Sequence, residues 1–225
     1  MFVKVCGTTS EEDALLAVAM GADAIGFIFA AGSPRQVAPR LVNDIVRRLP
    51  PEIITVGVFR DEAPERVVEI VQRTGLRAAQ LHGHESPEQT AAVQARVPMV
   101  FKVFTAGDAA VRQARQYKAA AVMVDSPGGG SGQVFDWSLA EDVPGGLRLI
   151  LAGGLGPDNV ADAIRTVHPW GVDACSGLEA SPGKKDPRKL RAFIANAKEA
   201  GGDDEDDDAP LPEGPVPFDW MEHGG

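Results

Sequence analysis

The chain predicts an α/β fold: a (β/α)8 TIM barrel forming a single domain over residues 1–201, followed by a disordered acidic C-terminal tail over residues 202–225. Three observations carry this. Short segments that are apolar along their whole length alternate with helix-like segments, as in parallel sheets covered by helices. There are eight such units, evenly spaced, and right-handed crossovers close a series of that kind into a barrel. Two late turns, around Gly153-Gly154 and Cys175-Ser176-Gly177, each end a strand in small residues before a helix. Without a Cβ, glycine lets an anion reach the backbone, and the N–H groups at a helix start favour it. After strands seven and eight is where such barrels hold phosphate. A doubly wound open sheet is the structural rival; the even spacing and the paired late turns speak against it.

The elements follow in order. Residues 2–6 form strand one, stopped by Gly7. Ser10 and the acids Glu11, Glu12 and Asp13 open a helix that continues over 14–20. Strand two covers 24–29, a loop 30–36 and a helix 39–49. Strand three covers 53–59, followed by a helix over 64–73 with Pro64 in its first turn. Strand four covers 77–81, and Ser86 caps the next helix with Pro87 at its first position. Strand five covers 99–104, with a helix over 108–117, and strand six 120–124, ending at Asp125. Gly128-Gly129-Gly130-Ser131-Gly132 lacks the Lys-Ser/Thr end of a nucleotide-binding loop and reads as a mobile lid. A short helix over 135–141, strand seven over 147–151, a helix over 158–167 and strand eight over 171–174 follow. Asp186 caps a last helix running to about residue 200.

Composition excludes several classes. No apolar run reaches the ~18–20 residues of a membrane span. The two cysteines imply no disulfide framework, and the N-terminus has no signal-peptide layout, so a cytoplasmic protein is expected. The net charge of −10 belongs to the tail: residues 202–225 hold nine acids and no Lys or Arg, leaving 22 basic against 23 acidic side chains elsewhere. Nothing therefore suggests nucleic acid as a partner. Six consecutive acids at 203–208 and four prolines from Pro210 to Pro217 predict disorder.

In a barrel of this kind, polar residues at the C-terminal ends of strands face one pocket. Cys6 ends strand one and Asp125 ends strand six, so the two can flank one substrate as base and acid. Taken alone, Cys6 also reads as a small buried hydrophobe and Asp125 as a loop cap. Arg35 suits a carboxylate clamp, since its planar fork matches one bidentately; the alternative is a solvated loop charge. His82 ends strand four and Asp173 lies in strand eight. His82 and His84 have strand-like spacing but lack a third ligand, so no metal is expected.

At these residues the chain resembles the phosphoribosylanthranilate isomerases. The matching stretches are Lys4-Val5-Cys6-Gly7, Gly26-Phe27 with Ser33-Pro34-Arg35, Val56-Gly57-Val58-Phe59 and Gln80-Leu81-His82-Gly83. They continue with Asp125-Ser126, Gly132 with Phe135-Asp136-Trp137, Leu151-Ala152-Gly153-Gly154-Leu155 and Ser176-Gly177-Leu178-Glu179. The resemblance implies a cofactor-free Amadori rearrangement of a small phosphorylated substrate in tryptophan biosynthesis. By position Cys6 would be the general base, Asp125 the general acid and Arg35 the holder of the anthranilate carboxylate. Gly153, Gly154, Ser176 and Gly177 would bind phosphate, with His82 and Asp173 lining the pocket. Cys175 departs from the family's usual serine, and with strands one and eight adjacent it is expected to approach Cys6, where oxidation could bridge the two. Another sugar-phosphate aldose–ketose isomerase, or a non-catalytic phosphate-binding barrel, are the competing functions. Contact with a neighbouring pathway enzyme has no signal in the sequence.

Overall fold

Eight parallel strands close on themselves in chain order in the computed structural model, which describes residues 1–97, 99–127 and 136–202. They are β1 (Phe2–Val5), β2 (Ala24–Ile28), β3 (Ile54–Phe59), β4 (Ala78–Leu81), β5 (Met99–Thr105), β6 (Ala121–Asp125), β7 (Leu149–Leu151) and β8 (Gly171–Ala174). The ring closes where β1 pairs with β8, Phe2 opposite Gly171 and Val5 opposite Ala174. The predicted lid at 128–132, Phe135 and the tail at 203–225 lie outside the described residues.

Local chemistry sets most helix starts. In α1 (Glu11–Ala19) the Ser10 hydroxyl accepts from the Asp13 N–H. Pro39 and Pro64 open α2 (Pro39–Val46) and α3 (Pro64–Thr74), where a missing N–H costs nothing. A reciprocal Ser86–Gln89 capping box opens α4 (Pro87–Gln94), and Asp186 caps α6 (Pro187–Gly201). Two connections expected as α-helix are 3-10 instead, Ala109–Tyr117 and Trp137–Asp142. The helix expected from 158 starts later, as α5 (Val160–Val167). Asn159 is occupied in the preceding turn: its Oδ1 accepts from Gly156 N at 2.8 Å and its Nδ2 donates to the Gly154 carbonyl at 3.0 Å. After β8 comes no helix but a three-residue 3-10 turn, Ser176–Leu178, and a hairpin of β9 (Glu179–Ser181) and β10 (Lys184–Lys185). Pro182-Gly183 makes that hairpin turn, with Gly183 at φ +80°, the proline–glycine order of a type II turn.

Alternation along each strand separates two cores. Val3, Val5, Ile25, Phe27 and Leu81 face outward and pack under the helices. Phe2, Ala24, Ile54, Ala78, Met99, Phe101 and Met123 fill the barrel interior, and Phe2 stacks on Trp170 at 4.5 Å as its floor. Complete burial of a ring such as Phe101 stabilises the fold by ~2 kcal/mol. The same period of two then carries the inward face upward. Above Phe2 it continues to Lys4 and Cys6, above Gly171 to Asp173 and Cys175, above Ala78 to Gln80 and His82, and above Met123 to Asp125. The floor is apolar and the C-terminal mouth polar.

Candidate active site

The mouth opens as a cavity of about 720 Å³, lined among others by Cys6, Arg35, His82, Asp125, Asp173 and Cys175. Six side chains from five parts of the chain thus meet in one space.

Cys6 is 5% exposed and Lys4, two residues earlier, is fully buried. Lys4 Nζ donates to Asp173 Oδ1 at 2.9 Å. Burial alone would pull the Lys4 ammonium down, but Asp173 and Cys6 outweigh it and hold it above its ordinary value. Burial pushes Asp173 up to about 7; Lys4 opposes that rise and Cys6 adds to it. Cys175 follows β8 beside Cys6. A hydrogen bond from Cys175 draws the Cys6 thiol well below its ordinary value, with Lys4 and Lys185 helping against the cost of burial. The same bond pushes the Cys175 thiol up.

Across the mouth, Asp125 accepts at both oxygens. Oδ1 takes the Ser126 N–H at 2.7 Å, and Oδ2 lies 3.1 Å from His82 Nε2. Gln80 Nε2 stands 3.2 Å from His82 Nδ1. It can donate there or, with the amide turned, accept from a protonated Nδ1 through Oε1, a buried oxygen otherwise without a partner among the described residues. Gln80 therefore supports either charge state of His82.

Arg35 is no solvated loop charge: it is 9% exposed. Its Nε and Nη2 donate to the two oxygens of Glu179, both at 2.8 Å. The fork expected to face a ligand carboxylate is turned to a carboxylate of the protein, and Nη1 is the edge left outside that pairing. Glu179 is held below its ordinary value: Arg35 and Lys185 overcome the opposing effect of burial.

The expected phosphate residues stand beside the cavity rather than in its wall. Gly153 and Gly154 have φ of +87° and +65°, which glycine alone adopts without strain. A Cβ on Gly153 would lie 2.5 Å from Ser126 N, and one on Gly177 would lie 2.1 Å from the Leu155 carbonyl oxygen. The β7 turn is thus pressed against the end of β6 on one side and the β8 turn on the other. The N–H groups of Gly153, Gly154, Ser176 and Gly177 meet no acceptor among the described residues. Sequence reasoning gave no role to Lys4, Gln80, Glu179 or Lys185. The available signal was a charged residue inside an otherwise apolar strand two positions before a candidate thiol.

A family model described as N-(5'phosphoribosyl)anthranilate (PRA) isomerase matches residues 3–196. The chain belongs to the phosphoribosylanthranilate isomerase family. An N-(5'-phosphoribosyl)anthranilate isomerase of Desulforudis audaxviator is 48% identical over 205 residues, covering 88% of this chain and 98% of its own. That of Pelobacter propionicus is 45% identical over 201 residues, covering 88% and 95%. The crystal structure of the Thermus thermophilus phosphoribosyl anthranilate isomerase superposes with a TM-score of 0.83 at 41% identity, over 87% of this chain and 98% of that one. A further phosphoribosyl anthranilate isomerase, solved in complex with reduced 1-(o-carboxyphenylamino)-1-deoxyribulose 5-phosphate, matches at TM-score 0.78 and 38% identity over 88% and 99%.

Proposed function

We infer that this chain isomerises N-(5'-phosphoribosyl)anthranilate to 1-(2-carboxyphenylamino)-1-deoxyribulose 5-phosphate, an Amadori rearrangement in tryptophan biosynthesis. The observation that carries the mechanism is a thiol and a carboxyl group, Cys6 and Asp125, opening from β1 and β6 into one cavity in a chain of this family. Asp125 protonates the ribose ring oxygen as the C1–O bond breaks, and the anilino nitrogen, keeping its hydrogen, gives its lone pair to C1 to form a protonated imine. The contact of His82 with Asp125 Oδ2 supplies a route by which that proton is replaced. Cys6, as thiolate, takes the C2 proton, and the electron pair moves through C1 to the imine nitrogen. The resulting enolamine becomes the ketone by losing its O–H proton and gaining one at C1. Atoms and charge balance within the substrate and the two side chains, so the reaction is redox-neutral overall.

Arg35 Nη1 meets the anthranilate carboxylate, while Glu179 holds the guanidinium plane. The unengaged N–H groups of Gly153, Gly154, Ser176 and Gly177 take the phosphate, and Asp173 supports the base through Lys4. No helix of the described residues is long and apolar enough to cross a membrane. We assign the protein to the cytoplasm, in keeping with a chain of two cysteines.

The test is loss of substrate fluorescence with freshly made phosphoribosylanthranilate. Wild type should turn over, and Cys6→Ala and Asp125→Ala should each lose activity by ~10³-fold. Turnover that survives in Cys6→Ala discards the thiolate base. No wild-type turnover, combined with tight binding of a phosphorylated ligand, replaces the enzyme by a binding protein.

A further inference from the structure

We propose that Cys175 is the positioning residue of the catalytic thiol: its S–H donates to the Cys6 sulfur and keeps Cys6 ready as a base. This rests on the assignment of Cys6 as base made above. The geometry starts from the strand register. Val5 stands opposite Ala174, and the Cys6 N–H donates to the Ala174 carbonyl at 2.9 Å. Cys6 and Cys175 each stand one residue past that last pair, and both line the cavity at the mouth. The inward pair two residues earlier, Lys4 and Asp173, is in register and in contact at 2.9 Å, and the period of two brings both cysteines to that same inward face.

Lys185 and two glycines hold the pair in place. Lys185, fully buried, donates from Nζ to the Cys6 carbonyl at 2.6 Å and to the Cys175 carbonyl at 3.2 Å, and so ties the two strand ends together. A Cβ on Gly7 would fall 2.5 Å from Cys175 Sγ, and one on Gly26 would fall 2.8 Å from Cys6 Sγ. Each sulfur occupies the space that a glycine leaves open.

Charge decides which thiol ionises. Around Cys6 stand Lys4 from its own strand, Lys185 from the hairpin, Asp173 from β8 and Arg35 from the loop after β2; Glu179 pairs with Arg35 and Lys185, and Asp125 lines the same cavity. The Lys4 ammonium shares the Gly26 niche with the Cys6 sulfur, 3.1 Å from the same Cβ position. A thiolate on Cys6 thus sits beside a cation, and Cys175, kept protonated, has one hydrogen to give. The depressed Cys6 thiol and the raised Cys175 thiol agree with this division. Cysteine donors are weak in water but gain strength in a dry site.

The test is run under reducing conditions on wild type, Cys175→Ala, Cys175→Val and Cys175→Ser. Iodoacetamide alkylation of Cys6, resolved by mass spectrometry, is followed against pH beside the pH profile of kcat/KM. Alanine and valine remove the donor, the second while keeping volume. In both variants the Cys6 alkylation midpoint and the acid limb of kcat/KM should move up together, by about one pH unit, equivalent to ~10-fold less thiolate below the midpoint. kcat well above the midpoint should be retained, and Cys175→Ser, whose hydroxyl also donates, should return both midpoints to wild type. Unchanged midpoints in the alanine and valine variants overturn the proposal, as does a serine variant that shifts as far as alanine. Alkylation needs no substrate. Shifted alkylation midpoints in a protein that never turns over phosphoribosylanthranilate would support the thiol pair and reject the reaction assigned to it.

Discussion

Lys4 has no exposed surface, and an unpaired ammonium there would cost several kcal/mol. Asp173 at 2.9 Å offsets that cost, and the pair in turn sets the field under Cys6. The consequence is measurable at Asp173, which burial first and the Cys6 thiolate further raise to about 7. Removing the thiolate removes a neighbouring negative charge, so ionising Asp173 becomes easier. Carbon-13 carboxyl NMR should show Asp173 titrating near 7 in wild type and at a clearly lower pH in Cys6→Ala. An unchanged midpoint would mean that the two groups do not share a field. Cys6, Asp125 and Arg35 stood out in the sequence because reactive side chains at strand ends are few. Lys4 did not, because a charge inside an apolar strand gains meaning only when its partner from another strand is known. Arg35 reads as a free fork in the sequence for the same reason, since its partner Glu179 lies 144 positions away.

Elements bring these partners together. β1 and β8 are the two ends of the chain's barrel, and their register sets Cys175 beside Cys6. The β9–β10 hairpin, formed at Pro182-Gly183 before α6, then delivers Lys185 and Glu179 beneath them. Both cysteines are free thiols in the structure, and each stands one residue past the last β1–β8 pair and lines the same cavity, which makes a disulfide between them testable. Hydrogen peroxide gives the expected test. The Cys6 thiolate attacks one peroxide oxygen and hydroxide leaves; the resulting sulfenic acid then condenses with the Cys175 thiol, releasing water and forming the S–S bond. Mass spectrometry should find one intramolecular disulfide with activity lost, and dithiothreitol should restore it. Two thiols that persist while activity falls would reject the bridge.

At the scale of the whole molecule, closure of the barrel gathers side chains from β1, β4, β6 and β8 at one mouth and leaves an apolar floor at the other end. The outer core draws on residues from Val3 to Ala197, and Lys198 Nζ donates to the Met1 carbonyl at 2.9 Å, fastening the end of α6 to the chain start. Among the described residues, the contacts that close the barrel run from Phe2 to α6 (Pro187–Gly201). A chain ending at Gly202 is expected to keep the melting temperature and the kcat/KM of the full chain. A loss in either would assign the acidic tail a part in the fold or the site.

The closed parallel barrel and its eight strands in order were legible from the chain, as was the meeting of strand-end side chains at one mouth. They depend on local patterns: apolar runs, prolines and caps at helix starts, and paired glycine turns at strand ends. Element types that depend on competition were less legible. Two expected helices tightened to 3-10, α5 started late because Asn159 was engaged in its turn, and a Pro-Gly hairpin stood before the final helix. The electrostatics of the site came from the tertiary structure alone. Lys4 with Asp173, Arg35 with Glu179 and Lys185 with the Cys6 carbonyl join residues far apart in the chain. Their energies exist only once barrel closure has removed water from between them.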